Sequence, residues 1–420
     1  MTSDGIQLRR PEDITDRPTI GLHLMVKNGR SVVGRLLDCV GPYLDEVVVV
    51  LNDCEDDTRE VIAAGCEKHS LRLRVFEVTS ALNPDLYITD VKSTYEVGHS
   101  LVGESFEVPY TGGPILAEWA AARNVGWCQG EAAYRLHLDA DDVVDDPRSL
   151  PGLCQLMGER GLDAVSTRYH YDHVRGGLSR ADAFRERIAR NTTDVVWHGS
   201  VHEYLRMLRP DRAAMVDGSL VVRDLRDSTG TGIRIPGRNL KILYHNARRR
   251  DWQITSREMV YLAAEARAFM PRLAAQLIEM CIATSRWDEE RAWAASMMGE
   301  ICEEEQNFAL ASRWYERSLE LHPGVLSALR LSRAYFRQER WQECISAFER
   351  AMVNKDRPQC LDNGVVYEDS TKILVAVAYR RLGKYALAKE MSEGLTEKHP
   401  ESSALADLAA KLGRDEVRGA

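Results

Sequence analysis

The chain has no Cys-x-x-Cys pair. Its nine cysteines are scattered over 420 residues and are odd in number. That excludes a zinc knuckle by spacing and reads as reduced thiols kept in the cytoplasm. No apolar run reaches the roughly 20 residues that cross a bilayer. The segment Met1 to Pro18 is polar and carries no apolar h-region, so neither a membrane partner nor a secretory signal is expected. An excess of basic charge is also missing. Fifty-five Lys and Arg stand against 64 Asp and Glu, for a net charge of −9 and a pI near 5.8. This argues against a broad electrostatic grip on nucleic acid or anionic lipid. No glycine-rich phosphate loop follows the first apolar strand, and no Ser-His-Asp grouping is visible. His202-Glu203 runs on into Tyr204-Leu205-Arg206, so the His-Glu-x-x-His helix of zinc proteases fails.

What is present is ordinary globular material. Hydrophobic residues make up 44% of the chain and charged ones 28%, and the length has room for two or three domains. Strand and helix alternate at the start. The apolar run Thr19–Val26 reads as a strand, and Ser31–Val40 has helical spacing with Ser31 as its cap. Glu46–Leu51 is a β-branched run of the kind buried on both faces, Asp57–Lys68 a helix and Leu71–Val78 a third strand. Repeated β-α-β units predict an α/β domain with a parallel sheet, whose ligands bind beyond the carboxyl ends of the strands. A domain over residues 19–250 is expected, after an N-terminal tail at 1–18. Residues 81–113 interrupt it as an insert, either a lid or a surface loop. Residues 163–245 read as mixed strands and short helices.

From residue 255 to about 416 helical periodicity takes over. Gly299, Ala311, Tyr315 and Pro323 mark one unit. Tyr335, Cys344, Phe348, Ala351 and Pro358 mark a second, and Ala376, Tyr379, Ala388, Leu395 and Pro400 a third. Tyr315 and Phe348 lie 33 positions apart. The pattern resembles the tetratricopeptide repeat of about 34 residues and predicts an all-α solenoid. Residues 257–290 fit a degenerate first repeat. Such a solenoid either binds peptides or proteins on its concave face or serves as a dimer or packing element, so a homo-oligomer is one expectation.

The segment Leu136-His137-Leu138-Asp139-Ala140-Asp141-Asp142 carries the strongest chemical signal. If the strand continues through it, residues i and i+2 face one way, and Asp139 and Asp141 converge. Such hard oxygen ligands suit Mg²⁺ or Mn²⁺. Other segments occur in order around it: Lys27-Asn28 after the first strand, Asn52-Asp53 after the second, Ala122-Arg123-Asn124, and Trp197-His198-Gly199-Ser200-Val201-His202-Glu203. Together they resemble the family 2 glycosyltransferases of the GT-A fold, in the branch with a tetratricopeptide tail. The resemblance covers roughly 19–250 for the transferase and 290–400 for the repeats.

That resemblance implies a metal-dependent, inverting enzyme that takes a sugar from a nucleotide diphosphate sugar. It implies donor contacts from Lys27, Asn52, Asp53, Arg123 and Asp139, with Arg123 near the diphosphate. Asp141 would be a metal ligand, joined by His245 beyond the last strand. Trp197 and His202 would face the acceptor, and Glu203 would be the base. The acceptor implied by the repeats is a protein or peptide; modified DNA, a glycan or a small molecule is the alternative, as is a non-catalytic repeat scaffold. Each residue also has a structural reading. Glu203 would pair with Arg185 or Arg187, Trp197 would be a core aromatic, Lys27 a solvated lysine and His245 a strand-end residue. Asp142 is either a second metal contact or the cap of the following turn. The basic stretch from Arg234 to Arg257 reads as a solvated face or as a contact for diphosphate or nucleic acid. Leu51 and Asn52 replace the acids of the common donor turn, and Gly29 stands where a glutamate often follows Lys-Asn.

Overall fold

The protein is described by a computed structural model that covers residues 17–89, 94–96, 105–107, 114–171, 181–224, 237–354 and 368–419. The tail before residue 17, parts of the 81–113 insert and Arg234 lie outside the described residues. The chain divides into two compact units, with the main break between Gln253 and Ile254.

The first unit is built on an eight-stranded mixed sheet. Its early strands are β1 (Ile20–Val26), β2 (Glu46–Asn52) and β3 (Arg72–Val78). All seven residues of β1 and of β2 are buried, as largely apolar strands covered on both faces are. The third strand is an edge and is mostly half-exposed. The connecting helices are α1 (Val33–Val40) and α2 (Thr58–Lys68). Helix α1 buries Val33, Leu36, Leu37 and Val40, one apolar stripe against the sheet. It begins two residues after Ser31, with Val32 at the cap position and no side-chain cap bond, so the expected Ser31 cap is not formed.

In the insert, β4 (Tyr87–Ile88) pairs with β7 (Ile115–Leu116), which lies just beyond it, and β5 (Thr94–Glu96) pairs with β6 (Ser105–Glu107). Helix α3 (Trp119–Trp127) leads into β8 (Tyr134–His137), then β9 (Asp142–Val144) and α4 (Leu150–Arg160). The rest of the sheet comes from β10 (Ala164–Tyr171), β11 (Ala181–Arg190) and β14 (Ala213–Asp224), with the hairpin β12 (Val195–His198) and β13 (Tyr204–Met207) between them. Helix α5 (Arg238–Arg249) closes the unit. The strand order is β3-β2-β1-β8-β11-β10-β14-β9. The first four strands are mutually parallel, and β11 runs antiparallel to β8.

The second unit is all helix among its described elements: α6 (Ser256–Ala266), α7 (Pro271–Thr284), α8 (Asp288–Glu304), α9 (Phe308–Leu321), α10 (Val325–Arg337), α11 (Trp341–Asn354), α12 (Glu368–Arg381), α13 (Tyr385–Lys398) and α14 (Ser403–Gly419). Short connections pair them as successive hairpins, the first starting at a full capping box between Thr255 and Glu258. The small and aromatic repeat positions do the packing. Tyr315 and Ala311 are fully buried, and a Cβ on Gly299 would sit 2.5 Å from the Tyr315 ring. Cys344, Phe348 and Ala351 occupy the same core one hairpin later. Hydroxyls tie neighbours together: Ser318 donates to the Ala292 carbonyl and Ser332 to that of Cys344, each at 2.7 Å. Each hairpin therefore buries its apolar stripe against the next, which is the logic of a repeat solenoid. Among the described residues, no helix is long and apolar enough to cross a membrane.

Candidate active site

The acidic segment is a turn, not a strand. Strand β8 stops at His137, and the Asp142 amide donates to the Asp139 carbonyl at 3.0 Å. In return the Asp139 amide donates to Asp142 Oδ2 at 2.8 Å. Asp139 and Asp141 are thus presented by a tight loop, and the strand alternation expected to align them does not apply. The side chain of Asp142 is fully buried. Its Oδ1 accepts the Tyr169 hydroxyl at 2.8 Å, and Arg187 approaches Oδ2 at 3.8 Å while lying 4.2 Å over the Tyr169 ring. Burial pushes this carboxyl up to about 7, against the pull of Arg187. Of the two readings for Asp142, the cap is the one formed, though it caps the turn behind it and not the one ahead. Its buried position removes it from any metal shell.

Arg123 sits at the centre. Its Nε donates to Glu203 Oε1 at 2.6 Å and its Nη2 to Asp139 Oδ1 at 3.2 Å. The side chains of Arg123 and Glu203 are 9% and 10% exposed, that of Asp139 28%. Burial opposes the guanidinium charge, but Glu203 and then Asp139 outweigh it and hold the Arg123 pKa above its ordinary value. Glu203 therefore does have an arginine partner. It is Arg123, 80 positions away in sequence, and not Arg185 or Arg187.

The local fold explains why these groups meet. Asn124, next to Arg123, grips the β12 backbone with both ends of its amide. Nδ2 donates to the Trp197 carbonyl at 2.9 Å, and Oδ1 accepts the Trp197 N–H at 3.0 Å. The amides of Trp119 and Ala120 at the start of α3 donate to the carbonyls of Ser200 and Gly199 at 2.8 and 3.3 Å. Those carbonyls belong to the turn that carries Glu203. That turn needs left-handed backbone at Gly199 (φ 102°) and His202 (φ 56°), which a glycine adopts freely and a histidine at some cost. Helix α3 and the turn form one braced unit.

Trp197 is held among aromatic and cationic side chains. It is 7% exposed and packed edge-on against Trp127 (5.6 Å between centroids) and His137 (4.5 Å), with Arg123 5.3 Å over its ring. These are the contacts of a core aromatic, the structural reading of Trp197. A small cavity behind it is lined by His23, Met25, Val50, Arg123 and Trp127. His23 is 5% exposed and lies 5.0 Å from the Trp127 ring, with both ring nitrogens lacking a hydrogen-bond partner. Burial, then Arg135, lowers its pKa to about 3. His137 is shifted well down by burial and by Arg123. Sequence reasoning gave no role to His23, His137 or Tyr169 and did not connect Arg187 with Asp142. No motif marks them, since each is defined by burial against residues far away in the chain.

The loops after β1 and β2 are tied to one another. Asn28, at φ 50°, accepts the Glu55 amide at 2.8 Å. The Gly29 amide donates to Thr58 Oγ1 at 2.8 Å, and the Arg30 amide to Asp56 Oδ2 at 3.2 Å. Lys27 is exposed beside them. Asp53, at φ 44°, accepts the Ser80 amide at 3.2 Å. Asn52 is 6% exposed, and its Oδ1 accepts the Tyr87 hydroxyl at 2.7 Å, a buried strut between the two segments. His202 meets Asn239 of α5 at 3.5 Å. His245 lies inside helix α5 and not beyond a strand. Burial and then the nearby Arg249 lower its pKa, and a guanidinium neighbour disfavours a bound cation. Among the described residues no group of three or more His, Cys, Asp and Glu is placed to hold a metal ion.

No family model matches the chain, and no curated protein does. Similar solved structures are helical-repeat proteins. The APC/C hetero-tetramer Cut9-Hcn1 matches at 13% identity and TM-score 0.33, over 42% of this chain and 33% of that one. MamA (AMB-1) matches at 17% and 0.31, over 44% and 91%. The N-terminal domain of stress-induced protein-1 from C. elegans matches at 16% and 0.26, over 31% and 99%. This chain therefore spans about a third of the Cut9-Hcn1 chain. With every TM-score below 0.5, the repeat architecture rests on this chain's own hairpins.

Proposed function

We propose that the first unit is a glycosyltransferase that uses a nucleotide diphosphate sugar, and that the repeat unit receives a protein or peptide acceptor. The observation that carries this reading is the junction of Glu203, Arg123 and Asp139 beside the Asp139–Asp142 turn, past the carboxyl end of parallel strand β8. Ligands of α/β sheets bind at such strand ends. Four parallel strands followed by a reversed one are compatible with the GT-A fold that the sequence resembles.

Mn²⁺ or Mg²⁺ is part of this reading. The donor set fits a hard cation bound by one or two carboxylates, with water and substrate phosphates completing the shell. Asp141 would supply such a carboxylate; Asp139 (already tied to Arg123), Asp142 and His245 would not. When bound, such an ion acts as a Lewis acid on the leaving diphosphate. The remaining work falls to the chain. Glu203 takes the proton from an acceptor hydroxyl or thiol as the acceptor atom bonds to the anomeric carbon from the opposite side. The bond from that carbon to the diphosphate oxygen breaks, and its electron pair leaves with the diphosphate. Trp197, Trp127 and His137 keep water from the floor beneath Arg123.

The test is release of nucleoside diphosphate from a panel of UDP- and GDP-sugars with Mn²⁺ present, paired with calorimetry of UDP and GDP. Metal-dependent turnover of at least one donor supports the reading. Neither turnover nor nucleotide binding supports a repeat scaffold, a reading favoured by the buried Asn52 at the donor position.

A further inference from the structure

We propose that Arg123 is a positioning residue that sets the Glu203 carboxylate for catalysis, and is not a ligand of the donor diphosphate. This rests on the transferase reading above. The guanidinium spends Nε on Glu203 and Nη2 on Asp139, and its Cζ lies 5.3 Å over the Trp197 ring. A fork held by two carboxylates and packed against a ring is restricted in orientation. Its side chain is 9% exposed, so little of the guanidinium faces the open site. The anchor beneath is equally fixed, because Asn124 clamps the Trp197 backbone in both directions. Arg123 therefore links the wall carrying the acidic turn to the wall carrying Glu203 and sets the gap between the two carboxylates. The sequence resemblance places this arginine with the phosphates; the contacts give it to the base.

A double-mutant cycle separates the two roles. Arg123→Lys keeps the charge but loses the fork. If Arg123 acts through Glu203, this variant loses about 100-fold in kcat from misplacement of the base. Its donor KM and its affinity for UDP or GDP with Mn²⁺ stay within about 3-fold of wild type, since uniform donor binding is untouched. In a Glu203→Gln background the same change has no further effect on kcat. Glu203→Asp, which draws the carboxylate back by one methylene, gives the same pattern and serves if Arg123→Lys does not fold. Losses that multiply in the double variant, or a nucleotide affinity weakened more than about 10-fold, overturn the proposal and return Arg123 to the donor. A wild-type protein with no turnover of any UDP- or GDP-sugar removes the transferase reading, and this proposal with it.

Discussion

Replacing His23 by Phe should flatten the acid limb of the stability profile. His23 lies under the site with two unpartnered nitrogens, and its pKa falls from 6.5 to about 3 on folding. Between those values the unfolded chain binds a proton that the folded chain refuses. Stability from this group is therefore intact above pH 6.5 and is lost steadily as the pH falls towards 3. At about 1.4 kcal/mol per pH unit, the step from pH 7 to pH 5 costs about 2 kcal/mol, and the whole window about 5 kcal/mol. Phenylalanine can keep the edge-on contact with Trp127 and carries no proton. Any packing offset is independent of pH and drops out of the comparison. Urea titrations of both proteins at pH 7 and pH 5 measure the difference directly. The variant should lose about 2 kcal/mol less than wild type across that step. Parallel losses would show that the His23 ring is hydrated or charged in the native state, and the reading of a dry, neutral histidine would be wrong.

Asp141→Ala, or EDTA on wild type, should reduce nucleotide-sugar turnover to background while circular dichroism of the helical unit is unchanged; full activity in the variant would contradict the metal assignment. Gly299→Ala places a methyl 2.5 Å from the Tyr315 ring. A loss of about 1–3 kcal/mol is expected in urea unfolding, because neither helix α8 nor the ring has room to give. Thr255→Ala removes the capping box at the start of α6 and should cost about 1 kcal/mol in the same measurement.

The sheet was readable where one physical signal dominates. Valine-rich β2 and apolar β1 agree with expectation to within a residue at each end, since runs buried on both faces leave no other option. The third strand and helix α2 are likewise within a residue. Helix α1 starts later than Ser31 suggested, because the Gly29 carbonyl accepts the amides of both Val32 and Val33 in the preceding turn. The repeats were legible through Gly299, Tyr315 and Phe348, whose sizes are complementary. The site was only half legible. Asp139, Asp141, Arg123 and Glu203 stood out as residue types, but the bond between Arg123 and Glu203 spans 80 positions and follows no local period. Nor can alternation along a strand reveal that Asp142 turns inward to Tyr169, because that depends on β10 packing beneath the loop. Trp197 and Asn52 look like ligand contacts by position, and only their neighbours show that they are spent on the interior.

The lacing between the loops after β1 and β2 has an evolutionary corollary. In the links from Glu55 to Asn28, Gly29 to Thr58 and Arg30 to Asp56, every donor is a main-chain amide and every acceptor a side-chain oxygen. Any amino acid other than proline can donate from the main chain. Mutational drift at Glu55 and Arg30 is thus cheap, whereas Asn28, Thr58 and Asp56 carry the shape. A Cβ on Gly29 would run into the Val26 side chain, so a saturation library across both loops would show two tolerant columns set among four intolerant ones.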